Sequence, residues 1–188
     1  MEQKARYQML KDRSVREKLL YWRRSLENNL GERARLRRAE SPDDVLLTEA
    51  FRNFLEAMPE EWANPKQLPA SALVAAIVAH VNAHDTETYG SISFASQLAT
   101  PKDGDDKPRL SELRFQQLQK SHDPTEFFRR LLRAVRILDR NVNIPSLAND
   151  ALHWMQEYSN GVERNPQERL AFCWANDYYR TLLPKKSQ

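Results

Sequence analysis

Four arginines, Arg129, Arg133, Arg136 and Arg140, recur at intervals of four, three and four residues inside the stretch FFRRLLRAVRILDR. A guanidinium is a permanent cation whose planar fork grips oxyanions through paired hydrogen bonds, so a row of them suits holding an anion rather than breaking a bond. On a helix the other three would lie within about 40° of Arg129, as one stripe. Leu131, Ala134, Val135 and Leu138 would face the other way, with Phe127 and Phe128 beside them, and that apolar side meets the demand for a core. The stretch carries a fifth arginine, Arg130, and only one acid, Asp139. No acid is interleaved in the stripe, and like charges at helical spacing repel. Two counter-charges fit it: acids elsewhere in the fold, such as Asp103 to Asp106 or Glu163, or a phosphate backbone, which a row of guanidiniums matches best. A second cluster, Arg33, Arg35, Arg37 and Arg38, has only Glu32 and Glu40 beside it.

Bond-making chemistry finds little support. His80 and His84 stand four apart in HVNAHD, the spacing of a helical zinc pair, and His84-Asp85 matches the dipeptide of helical metal phosphohydrolases. That pattern needs a histidine well upstream, and none precedes His80; the alternative HExxH lacks its glutamate. The expected role of both histidines is at the end of a buried helix, where a cation is favoured. The single cysteine, Cys173, lies in AFCWA and reads as an inert core thiol that excludes an internal disulfide. Four glycines build no phosphate-cradling loop, and Trp22, Trp62, Trp154 and Trp174 read as core rather than stacking platforms. The expectation is a protein without catalysis, cofactor or metal.

The elements that must carry these residues are helical. Four polar-proline pairs, Ser41-Pro42, Asn64-Pro65, Asp123-Pro124 and Asn165-Pro166, precede apolar-periodic runs and read as helix starts, the third with Glu126 placed three residues after Asp123 for a capping box. Val15, Leu19, Trp22 and Leu26 mark a first helix ending near Gly31, followed by one carrying the Arg33 to Arg38 cluster. Val45 to Met58 reads as one amphipathic helix with Leu47 on its apolar side. Ser71 to Val81 is apolar almost all round and should be the buried centre. Ile144 to Tyr158 and Pro166 to Leu183 supply two more helices. Strand signals are nearly absent, and Ile92 to Leu98 fits helical spacing better. The fold class is all-α: a compact helical bundle of two packed sub-bundles. Residues 1–100 form the first and 110–188 the second, joined into one unit across a mobile loop, 101–109, rich in Pro, Gly, Asp and Lys.

Composition agrees with a folded domain, at 188 residues and 40% hydrophobic content. The formal charge of +3 is segregated: Met1 to Arg38 hold 12 Lys and Arg against 5 Asp and Glu, which leaves the remainder acidic. Arg109 to Arg140 reverses that with 8 basic residues against 4 acidic. Two basic blocks in an acidic chain suit a polyanion on selected surfaces. No apolar run reaches membrane-span length and MEQKARYQML has no apolar core of a secretory signal, so the expected compartment is the cytoplasm.

LRRAESPDD (Leu36 to Asp44), SISFASQLAT (Ser91 to Thr100), SELRFQQLQK (Ser111 to Lys120) and FFRRLL (Phe127 to Leu132) resemble, in this order, the CasB family, the small subunit of the type I-E CRISPR surveillance complex Cascade. The likeness spans roughly Leu36 to Trp154. It implies an all-helical, non-catalytic protein present in two copies, in contact with the backbone and large subunits, helping to hold the crRNA-bound target strand and the displaced strand. It also implies nucleic-acid contacts at Arg37, Arg38, Arg114, Lys120, Arg129 and Arg130, to which the charge pattern adds Arg33, Arg133, Arg136 and Arg140. A basic pair found late in some members is not matched, since HWMQEY has Gln156 and Glu157 there. Guide pairing reads sequence in such complexes, so backbone contacts suffice for this subunit. The alternative function is a helical interaction module whose arginines meet acidic protein surfaces.

Overall fold

The computed structural model describes residues 9–83 and 92–183, and His84, Asp85, Ser91 and the first eight residues lie outside them. Ten α-helices and no strand occur among the described residues. They are α1 (Arg13–Ser25), α2 (Leu30–Arg38), α3 (Pro42–Leu46), α4 (Glu49–Ala57), α5 (Leu68–Val78), α6 (Phe94–Ala99), α7 (Glu112–Gln119), α8 (Pro124–Ile137), α9 (Ile144–Asn160) and α10 (Leu170–Leu182). Two 3₁₀ helices, Glu60–Ala63 and Pro166–Glu168, precede α5 and α10. The loop before α7 is closed by an isolated antiparallel bridge between Pro101 and Pro108.

Helix α5 is the axis, and every residue from Ala70 to Val81 is buried. A helix apolar on all sides needs neighbours on all sides. Helices α2, α3, α4, α8 and α9 pack around it, together with the first 3₁₀ helix. Leu73, Val74, Ile77 and Val78 are wholly removed from solvent, each a gain of about 1.5–3 kcal/mol. The chain on either side of the Thr100–Arg109 loop interlocks, with α5 against α9 and α6 against α10. The four tryptophans are all core. Trp174 donates to Asp150 at 2.8 Å, and Phe127 stacks on Trp154 with ring centroids 4.2 Å apart.

Several boundaries depart from the sequence expectation. Gly31 does not end α1; it sits in the first turn of α2, after Asn29, whose side chain accepts from the Glu32 amide at 3.3 Å. Val45 to Met58 is two helices, because the Thr48 hydroxyl accepts from the Phe51 amide at 3.1 Å and restarts the chain. Leu47, at that break, is 94% exposed instead of facing the core. Asn64-Pro65 and Asn165-Pro166 open a turn and a 3₁₀ helix, with α5 and α10 beginning downstream at Leu68 and Leu170. Asp123-Pro124 does start α8, with Asp123 accepting from the Glu126 amide at 2.8 Å and Glu126 from the His122 amide at 2.7 Å.

Candidate nucleic-acid interface

Helix α8 buries Phe127, Phe128, Leu131, Ala134 and Val135 and leaves Arg129, Arg133 and Arg136 exposed. Its apolar side fills the core without engaging the arginines, as the periodicity required. Among the described residues none of these three guanidiniums has a carboxylate within ion-pair distance, while Arg130 pairs with Glu126 at 2.6 Å and also bonds the Gln117 carbonyl. The acids expected as internal partners are turned elsewhere: Asp105 accepts from the Lys107 amide and Glu163 from the Gln156 side chain, both at 3.1 Å. Arg129 lies near enough to Asp44 to help hold that carboxyl below its usual range, behind the larger effect of amide donation from Glu40 and Ser41.

Arg140 is not on the α8 stripe. The helix ends at Ile137, and Asp139 and Arg140 turn into the left-handed region at φ 54° and 65°. The Asp139 amide bonds the Arg136 carbonyl and the Arg140 amide reaches back to Val135, each at 3.0 Å. This is a Schellman closure, made here without the usual glycine. Left-handed backbone costs a residue with a side chain about 1–2 kcal/mol. The turn is fixed from outside: the Asn82 amide donates to the Arg140 carbonyl at 2.8 Å, and the Asn82 side chain donates to the Asp139 carbonyl and to Asn141.

That tie brings the two basic blocks together. Beyond the last turn of α5, Arg33 donates through Nε to the Ala79 carbonyl at 3.2 Å, and Arg23 through Nε to Val81 at 2.7 Å. These donations answer carbonyls left free at the negative end of the helix, and both arginines also pair with Glu27, Arg33 at 3.1 Å and Arg23 at 2.7 Å. Between those carbonyls sits His80, buried. Burial first, then Arg37, Arg136, Arg140 and Arg33, push its pKa down to about 4. The ring is therefore neutral at physiological pH, contrary to the expected helix-end cation. Burial and the fields of Arg140, Arg33 and Arg136 also lower the pKa of Arg37 from its ordinary value.

The structure thus joins Arg33 and Arg37 of α2 to Arg136 and Arg140 of α8 and its turn, with Arg33 largely committed to the fold. Arg38 is exposed at the end of α2. Arg114 and Lys120 are exposed on α7 and at its C-cap, and neither is among the strongest charges acting on His80. Sequence reasoning missed Arg23, His80 and Asn82 as parts of this assembly. Arg23 stands four residues after Leu19 and three before Leu26, squarely on the apolar stripe of α1, and that was the available signal. Cys173 is only partly buried, not the core thiol expected. No helix among the described residues is long and apolar enough to cross a membrane, and no group of three or more metal-ligating side chains was found among them.

Compared with known families, residues 32–179 match the one described as CRISPR-associated protein Cse2. No curated protein and no solved structure matches the chain.

Proposed function

The chain belongs to the CRISPR-associated Cse2 family, and on that premise we propose that it serves as the non-catalytic small subunit of a type I-E Cascade complex, holding nucleic acid by its phosphate backbone through the exposed arginines of α8 and α2. The carrying observation is that Arg129, Arg133 and Arg136 stand in one exposed row with no carboxylate of the described residues within ion-pair distance. Such a row is repulsive in isolation and becomes favourable beside phosphates at regular spacing. Arg37, Arg38 and Arg140 extend the surface toward the end of α5, and Arg114 and Lys120 add exposed charge on α7. The partners are crRNA and target DNA without sequence preference, the backbone and large subunits, and a second copy of the chain. No base-reading motif is needed for this task.

The test is binding of fluorescent single-stranded DNA by anisotropy across a salt series, with wild type and the triple variant Arg129→Ala, Arg133→Ala, Arg136→Ala. Wild-type affinity should fall linearly on a log–log plot, and the variant's slope should be shallower by about 2, at about 0.7 per lost phosphate contact. Its melting temperature should hold or rise, since each like-charged pair removed relieves about 0.2–0.5 kcal/mol. A folded variant with the wild-type slope would remove the stripe from the function. Retention of acidic protein partners without any nucleic-acid binding at low salt would favour the interaction-module alternative.

A further inference from the structure

His80 is 3% exposed, and neither ring nitrogen has a hydrogen-bond partner among the described residues. A neutral imidazole carries one donor and one acceptor, so both are left unanswered inside the protein. The charges around it come from several elements. Arg33 and Arg37 arrive from α2, Arg136 from α8, Arg140 from the turn after it, and Arg23 of α1, paired with Glu27 in the following turn, is anchored next door at Val81. Arg33 is answered by Glu27, and Asp139 beside Arg140 is taken by Arg109 at 3.3 Å. Arg37, Arg136 and Arg140 have no ion-pair partner among the described residues, and the buried Nε of Arg37 lacks an acceptor. Left-handed backbone at Arg140, pinned by Asn82, fixes where that side chain leaves the backbone, and its charge acts on the ring.

We propose that a phosphate group seated across Arg37, Arg136 and Arg140 draws a proton onto His80, so that nucleic-acid binding at this junction takes up a proton; the inference rests on the nucleic-acid reading above. The phosphate offsets the guanidinium field that opposes the imidazolium. The unprotonated ring nitrogen gains one N–H bond, with the proton supplied by solvent, and no other bond is made or broken.

Oligothymidylate is the probe, because its bases do not titrate between pH 5 and 7. Affinity is measured at constant ionic strength at pH 7 and pH 5 for wild type and His80→Gln. Burial is the larger cause and persists in the complex, so binding lifts the ring only part of the way from about 4 toward its ordinary 6.5, and wild type gains more affinity than the variant on acidification, by less than the about twentyfold that complete restoration would give. A second measurement needs no variant: the His80 ring C–H resonance of the full chain is titrated with and without saturating oligothymidylate, and its midpoint should move up. Binding with identical pH dependence in both proteins, or an unmoved midpoint at saturation, overturns the proton coupling and leaves the nucleic-acid reading standing. Absence of binding at either pH overturns both. Should the variant fail to fold, the resonance decides alone.

Discussion

Acidification isolates what His80 costs the free protein. In the unfolded chain the imidazole protonates near its ordinary 6.5, whereas in the fold it resists until about 4. The folded value is the lower of the two, so between them the unfolded state binds the extra proton and stability falls as pH falls. Above 6.5 neither state carries it and the penalty vanishes. The separation corresponds to about 3 kcal/mol when complete, with about 1.4 kcal/mol reached at pH 5.5 and about 2.5 kcal/mol at pH 4.5. His80→Gln removes the titration and substitutes a pH-independent cost for its buried amide. The assay is urea denaturation by circular dichroism at about pH 7, 5.5 and 4.5, read as wild-type stability minus that of the variant. Carboxylates elsewhere cancel in the difference, which should shrink by those amounts on acidification. Parallel pH curves for the two proteins would mean that the ring is not shielded as the arginine cluster requires, and the account of the junction would fail with it.

Arg140→Gly should raise folding stability by up to about 1 kcal/mol, the left-handed penalty relieved less the added freedom of the unfolded chain, while lowering affinity for single-stranded DNA; denaturation and anisotropy report the two, and a destabilised variant would contradict the strain. Arg23→Met should cost about 1–3 kcal/mol, because the Val81 carbonyl loses its best donor while Glu27 keeps Arg33; an unchanged urea midpoint would refute that anchoring. Glu126→Ala removes the acceptor of the His122 amide and the partner of Arg130, and should lower stability by about 1–2 kcal/mol in thermal denaturation, with the α8 stripe still binding. A melting temperature equal to wild type would show that the Glu126 carboxylate contributes nothing there.

Periodicity was enough to place α5 and the two faces of α8, because those patterns are strong and local: an almost unbroken apolar run, and leucines opposed to arginines. It failed where a single polar side chain decides. Thr48 splits an amphipathic run that looks continuous, and Leu47 lands in solvent as a result. The end of α8 was equally hidden, since Asp139 and Arg140 adopt the left-handed turn without glycine, and what holds them there is Asn82, more than fifty residues earlier. Pairing of Arg130 with Glu126 is readable at four-residue spacing. The meeting of Arg37 with Arg136 and Arg140 is not, because it exists only once α2 and α8 have both packed on α5. For the same reason His80 read as a helix-end cation: its position is local information, its surrounding charge is tertiary.

Enclosure of α5 on every side has a kinetic corollary. A peripheral helix can fray while its neighbours stay in place, but the amides of Leu73 to Val78 reach deuterium only when the surrounding helices come apart together. Their exchange rate in deuterated buffer is therefore a gauge of whole-molecule opening, against which the slower or faster labelling of α2 and α8 on adding a polyanion can be calibrated.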